Sequence, residues 1–364
     1  MCQSRSPFDP VRCVIPPYIG EKLLGSKSKK IAGLAAKNKF QDSRIRNDRE
    51  FFGGLSADQR TFFVPAAKPK KKVTRSMKVY NLKHGTDPAV AQLVWQNGKA
   101  LKKLDKDAKN VVAAGTATWD FYFSLFKRNS VDNLGMTLLH YIHYSTLYDN
   151  AMWDGAEMVY GDGDGQIFGS FTSDPDIIGH ELTHGVTQYE SNLEYHNQSG
   201  ALNESLSDVF GIMVKQRMLN QDVNQSDWLI GENVLLGKQY ALRSMKAPGT
   251  AFVNHPELGT DPQPATMDHF VKLPDTNKGD WGGVHYNSGI TNFAFYVTAF
   301  NIGGFAWEKA GRIWYAAMTD TIALKSNATF ADFKQITIKK AEALFGTGSK
   351  EALATAQGWN SAKV

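Results

Sequence analysis

The sequence predicts an α+β protein, a β-rich half followed by a helical half, preceded by a short, separate front segment. Three observations predict it. Strand-like alternation is concentrated between Met77 and Tyr148, and helical apolar spacing dominates after Asp208. Between these regions, Asp176 to Asp208 places metal-ligating side chains at helical spacing.

At 364 residues the chain is long enough to bury a large core and form two domains with an extra segment. Its 42% hydrophobic and 21% charged residues are ordinary for a globular protein and argue against disorder. No apolar run is long enough to span a bilayer. Residues 1–75 carry 17 Lys+Arg against 6 Asp+Glu, whereas residues 76–364 carry 24 against 30. A basic front end on an acidic body implies mutual attraction. The basic residues are scattered and lack interleaved aromatics, which argues against a nucleic-acid or membrane arm. Both cysteines, Cys2 and Cys13, lie in the front segment, so the body does not rely on disulfides. The first residues lack the apolar stretch of a secretory signal. The expected location is the cytoplasm, or outside the cell after release by a non-classical route.

In order, Val14-Ile15-Pro16-Pro17-Tyr18 reads as a stiff extended segment, since proline fixes φ and restricts its predecessor. Residues 21–50 read as a helix. The run Lys68-Pro69-Lys70-Lys71-Lys72 reads as an exposed, cleavable linker. Strands are expected within Met77–Gln96 and over Leu138–Tyr148, with a helix over Asp107–Arg128. His140 and His143 read as strand-surface or hydrogen-bonded polar groups. Gly161-Asp162-Gly163-Asp164-Gly165 lacks the spacing and final Glu of an EF-hand and reads as a tight turn between strands. Ser173-Asp174-Pro175 marks a helix start. Further helices are expected over Val209–Leu219, Ile290–Phe300, Phe305–Met318 and Phe330–Phe345, with Asn287-Ser288-Gly289 capping the second of them.

The central helix carries His180-Glu181-Leu182-Thr183-His184. Two histidines four residues apart share one helix face and reach one metal ion. Glu204, 20 residues beyond His184, is the candidate third ligand. Asp208, one turn later, is placed to accept the second N–H of a ligand histidine. Two His and one Glu leave an open position for water, as in a catalytic rather than a structural zinc site. Glu181 adjoins the first ligand and is placed to take the proton of that zinc-bound water.

The motifs HELTH at 180–184, GALNESLSD at 200–208 and GGVHYNSGI at 282–290 together resemble the thermolysin family of zinc metalloendopeptidases, over about residues 76–364. Residues 1–75 resemble the short propeptide of its protealysin-type branch, which carries a Pro-Pro-Tyr segment. The resemblance implies a propeptide and basic linker over 1–75. A β-rich domain with the zinc helix then spans 76–190, and a helical domain spans 191–364. It implies one Zn2+ held by His180, His184 and Glu204, with Glu181 as general base. Asp208 would orient His180, while His285, held by Asp280, and Tyr195 would stabilise the oxyanion. Asn150 and Ala151 match the edge that pairs with the substrate backbone, and Arg243 matches the residue that binds the carbonyl beyond the scissile bond. Phe168, Phe171, Ile177, Ile230 and Leu242 match the pocket for the residue after that bond. Being apolar, they imply cleavage on the N-terminal side of bulky hydrophobic residues.

Many family members hold two calcium ions beside the zinc helix. Asp176, Asp227 and Glu232 match that carboxylate cluster, but Lys215 and Leu229 stand where carboxylates are expected. The implied outcome is no two-calcium site, with the Lys215 ammonium in place of an ion. Cys13, beside the Pro-Pro segment, is a possible thiolate ligand in the precursor, although a packed or surface thiol is the simpler reading. The expected partners are peptide and protein substrates and the chain's own propeptide as intramolecular inhibitor, with no nucleic acid and no membrane. An aminopeptidase would need an acidic anchor such as a Gly-x-Met-Glu-Asn motif, which the sequence lacks. A zinc-stabilised binding protein would dispense with Glu181 or His285, and both are present.

Overall fold

The structure is a computed structural model that describes residues 12–54 and 73–364, with side chains given for 13–43 and 73–364. The candidate cleavable linker at 68–72 and Cys2 lie outside the described residues. Family-implied boundaries fall at 75/76 and 190/191.

The front segment begins with the two-residue strand β1 (Arg12–Cys13). Pro16-Pro17 then starts helix α1 (Pro17–Leu24), where proline's missing N–H costs nothing in the first turn. The chain breaks at Gly25-Ser26 and continues as α2 (Lys29–Gly54). The single helix expected over 21–50 is therefore two.

The body opens with β2 (Met77–Asn81), β3 (Gln92–Gln96) and β4 (Lys99–Ala100). Helix α3 (Lys106–Phe126) is capped by Asp105, whose carboxylate accepts the Ala108 N–H at 2.8 Å. Strands β5 (Leu138–Ile142), β6 (Ala151–Trp153) and β7 (Met158–Tyr160) follow. The strand expected through Tyr148 stops at Ile142, because His143 turns left-handed with φ 56°. The Gly161–Gly165 stretch does not join two strands of the sheet. Asp164 there accepts three N–H groups, from Gln166, Ile167 and Phe168, and shapes a loop toward the central helix.

The sheet has seven strands in the order β1-β6-β7-β5-β2-β3-β4. Its outermost strand belongs to the front segment. β1 pairs antiparallel with β6 in the register Arg12↔Trp153 and Cys13↔Met152. The sheet is thus completed by residues outside the body.

The second half is helical: α4 (Pro175–Tyr189), α5 (Asn197–Leu219), α6 (Asp280–Ile302), α7 (Ala310–Met318), α8 (Phe330–Phe345) and α9 (Lys350–Ser361). A short ribbon of β8 (Leu229–Ile230) and β9 (Arg243–Ser244) lies between α5 and α6. Asp174 and Pro175 start α4 as expected, but the Asp174 carboxylate binds the backbone and side chain of Asn233 rather than capping the helix. Asn287 and Ser288 lie inside α6 and are not caps. Asn287 instead clamps the Val271 backbone through both its amide atoms, at 2.9 Å each.

Helices α4 and α5 cross at Gly179 and Gly211. A Cβ on Gly211 would lie 2.5 Å from the Asp176 carbonyl oxygen and 3.0 Å from the His180 nitrogen, so only glycine permits this approach. The crossing brings the two ligand-bearing helices into direct backbone contact.

Candidate metal centre and cleft

His180 and His184 project from α4 and Glu204 from α5, and all three are buried. Their ligand atoms lie within 4.8 Å of one another. His180 Nδ1 faces Asp208 Oδ1 at 2.8 Å, and His184 Nδ1 faces Asn203 Oδ1 at 2.9 Å. Each acceptor fixes the ring proton on Nδ1, which leaves the Nε2 lone pairs turned toward each other at 3.0 Å. Glu204 adds oxygens 3.3 Å from His184 Nε2 and 3.6 Å from His180 Nε2. Two lone pairs and a carboxylate converging in a buried site repel unless a cation sits among them. This donor set fits Zn2+. Asp208 was legible in the sequence as an orienting residue. Asn203, which does the same for His184, was missed, although its place directly before Glu204 is a usable signal.

Asp208 is ionised, with its pKa held down to about 2. Burial opposes this, but the Arg243 guanidinium and the His180 ring outweigh it. Arg243 grips both its oxygens, and Asn292 Nδ2 donates to Oδ2 at 2.8 Å. Glu204 is likewise held well below the usual carboxylate range, with burial opposed first by the His285 ring.

His285 enters from the start of α6. Trp281, Gly282 and Gly283 have φ of 51°, 84° and 81°, so the backbone turns left-handed immediately before the regular helix. Asp280 takes the His285 backbone N–H at 2.8 Å and its Nδ1 at 2.6 Å. Burial lowers the imidazole pKa, but Asp280 and Glu204 raise it to about 9. Asp280 thus orients the ring so that Nε2 points into the cleft. The Tyr195 hydroxyl lies 3.2 Å from that nitrogen and donates to Glu204. Glu181 Oε2 accepts the Trp153 N–H at 2.7 Å, which holds the carboxylate beside strand β6.

The cleft residues meet the front segment. Ala151 O accepts the Val14 N–H at 3.2 Å, Asn150 Oδ1 accepts the Ile15 N–H at 3.2 Å, and Arg243 Nη1 donates to the Val14 carbonyl at 2.9 Å. His285 Nε2 lies 3.1 Å from the Cys13 carbonyl oxygen. Phe168, Phe171, Ile177, Ile230 and Leu242 are fully buried in the same apolar cluster as Val14. The Cys13 thiol is not among the clustered metal ligands. Its Sγ lies 3.4 Å from the Ile15 carbonyl, and the side chain packs with Tyr144, Tyr148 and Met152. Strand pairing turns its backbone carbonyl, rather than its sulfur, toward His285.

The front segment is anchored further by Lys37 Nζ on the Thr146 carbonyl at 2.7 Å, Asn38 Nδ2 on Asp149 Oδ2 at 2.7 Å, and Lys22 on the Leu258 carbonyl. Tyr18 stacks at a tilt on Tyr286, with centroids 4.5 Å apart.

Lys215 Nζ sits among Asp227 Oδ2 at 3.0 Å, the Leu229 carbonyl at 3.1 Å, Asp176 Oδ2 at 3.5 Å and Glu232 Oε2 at 3.6 Å. His143 forms a second ionic cluster, 2.7 Å from Asp162 and 3.1 Å from Asp105. Asp162 raises its pKa to about 9, so it is a cation paired with acids. His140 is not on the surface. It is buried against the Tyr160 hydroxyl at 2.9 Å, and burial lowers its pKa to about 3.

A buried His-His-Glu set on two crossing helices, with a carboxylate and an imidazolium facing an edge strand, defines a metalloprotease-type centre. The catalytic-domain family of thermolysin metallopeptidases matches residues 62–188, and its α-helical domain family matches residues 191–364. The chain belongs to the thermolysin metallopeptidase family. Its structure is similar to the precursor of protealysin, a metalloproteinase from Serratia proteamaculans. The TM-score is 0.83 at 39% identity, covering 97% of this chain and 99% of that one. It is 51% identical over 230 residues to an extracellular metalloprotease of Pectobacterium carotovorum, covering 63% of this chain and 65% of that protein. It is 48% identical over 238 residues to protease PrtS of a Photorhabdus strain, covering 65% and 63%. The chain thus spans just under two thirds of those two relatives' lengths. No helix among the described residues is long and apolar enough to cross a membrane.

Proposed function

We propose that the chain is the inhibited precursor of a zinc endopeptidase that cuts internal peptide bonds on the N-terminal side of bulky hydrophobic residues. The observation that carries this reading is the buried convergence of His180, His184 and Glu204 beside Glu181 and His285. Bound zinc supplies a Lewis acid for the scissile carbonyl and for water. Glu181 takes a proton from water and passes it to the leaving amine. His285 and Tyr195 donate to the developing oxyanion, with Asp280 holding the imidazole. Asp208 orients His180. Asn150 and Ala151 receive the substrate as an added strand, and Arg243 binds the carbonyl beyond the scissile bond.

Phe168, Phe171, Ile177, Ile230 and Leu242, all apolar and fully buried, support the preference for Leu, Phe, Ile or Val after the cut bond. The front segment would act as the intramolecular inhibitor, because Val14 and Ile15 take the contacts a substrate needs. Lys215 among three carboxylates supports an ion pair in place of a two-calcium site. The name of the Pectobacterium relative supports action outside the cell.

The test is a quenched-peptide assay on wild type and Glu181→Ala, each nicked by trypsin at the Lys-rich 68–72 segment. Wild type should cut before Leu or Phe and be blocked by a zinc chelator, while the variant stays inert. Equal behaviour of the two proteins would remove Glu181 as the base and leave a zinc-stabilised binding protein.

A further inference from the structure

The front segment covers the cleft in a specific direction and register, and these have a chemical consequence. We propose that the Cys13–Val14 peptide bond is a self-cleavage site of the precursor. The inference rests on the endopeptidase reading above and names one substrate bond for it.

Both polar ends of this bond are held by the body. The Cys13 carbonyl oxygen faces His285 Nε2 at 3.1 Å, and the Val14 N–H donates to Ala151 O at 3.2 Å. The next carbonyl, of Val14, accepts from Arg243, and the next N–H, of Ile15, donates to Asn150 Oδ1. Antiparallel pairing of Cys13 with Met152 fixes this frame. A shift of one residue would exchange carbonyls for N–H groups and turn every side chain to the other face. Asp280 holds His285 at Nδ1, which aims Nε2 at the Cys13 carbonyl oxygen. Glu181 is bonded to the Trp153 N–H, and Trp153 is the strand partner of Arg12, the residue before Cys13. Val14 supplies the buried apolar side chain expected after the cut bond.

The reaction is a hydrolysis. Water oxygen adds to the Cys13 carbonyl carbon, and Glu181 takes the water proton. The C–N bond to Val14 then breaks, and the proton passes to the Val14 nitrogen. The second water proton also passes to that nitrogen, so the products are a carboxylate on Cys13 and an ammonium on Val14. The cut frees only the segment before Val14. Val14–Pro17 stays joined to α1, which is pinned by Tyr18 on Tyr286 and Lys22 on Leu258. The nicked precursor therefore remains covered on the leaving-group side.

The experiment uses the full zinc-loaded chain, with N-terminal labelling and mass spectrometry over time. A new α-amine should form on Val14, at a first-order rate unchanged by strong dilution. It should be absent from Glu181→Ala and lost in Val14→Asp, whose charge the pocket excludes. A rate that rises with protein concentration would overturn self-cleavage in favour of attack by a second molecule. A chain that cuts the quenched peptide after trypsin nicking, but never shows the Val14 terminus, overturns this inference and leaves the endopeptidase reading standing. A nicked chain that cuts neither defeats both.

Discussion

Arg243 holds Asp208 by two parallel bonds, Nε to Oδ2 and Nη2 to Oδ1, each 2.8 Å long. The same carboxylate fixes the His180 ring, so the residue that grips the peptide backbone and the residue that aims a ligand are mechanically joined. Asp208→Asn leaves a neutral, half-matched partner for both. Its zinc affinity should fall about 10–100-fold, as for other partners of ligand histidines. Chelator competition followed by metal analysis checks this. Unchanged affinity would mean that His180 is aimed by packing alone.

Lys215 is buried with Asp176, so its loss leaves a carboxylate without its cation. Lys215→Ala should destabilise the protein by about 3 kcal/mol or more, the cost of breaking a buried pair. Thermal melts in calcium and in EGTA form the companion test. Wild type should melt alike in both, and Lys215→Glu should gain a calcium-dependent shift. A calcium-dependent melt of the wild type would show that the cation pair does not replace the ion.

Asp149 lies under α2, where burial and then the neighbouring Asp164 raise its pKa to about 8. Asn38 donates to it from α2, and Asp42 of the same helix adds a like charge. With α2 detached, Asp149 returns toward the ordinary carboxylate value of about 4. The docked form then binds more protons than the detached form between these values. Docking is strongest below about pH 4 and weakens as pH rises through about 8. In trypsin-nicked protein, retention of the front segment on size-exclusion columns should fall between about pH 5 and pH 9. Asp149→Asn should flatten that dependence, and a flat wild-type profile would count against it.

Gly211 admits no side chain at the helix crossing. A Cβ there meets the backbone of Asp176 and His180. Gly211→Ala should destabilise by about 1–3 kcal/mol through overpacking. Because the displaced helix carries two ligands, bound zinc should fall as well. A lowered melting temperature with full zinc content would confine the damage to packing.

Much of the centre was legible because it is local. His180 and His184 share a helix turn, Glu204 and Asp208 share another, and helical geometry alone pairs them. The proposed oxyanion donors and cleft residues came only through resemblance, since an isolated Tyr195 or Arg243 carries no periodic signal. The fork of Arg243 on Asp208 joins residues 35 apart in sequence, which spacing does not reveal. His140 fits its reading as a hydrogen-bonded polar group, but alternation gives a face and not whether another element covers it, so its full burial was not legible. Strand β1 was not legible, since two residues make no pattern and they pair with residues far along the chain. The helix α9 was not seen, its small and polar residues offering little apolar contrast.

A sheet that recognises its ligand by adding a strand needs an open rim, and an open rim recruits any extended chain. Here β1 covers β6, so the sheet's last row of amides and carbonyls is already taken. While the chain is being made and folded, Arg12 and Cys13 of β1 also deny neighbouring molecules a template for edge-to-edge pairing. On the proposed reading, the front segment guards the cell against the enzyme and the sheet against aggregation through one set of contacts, and its removal would end both protections together.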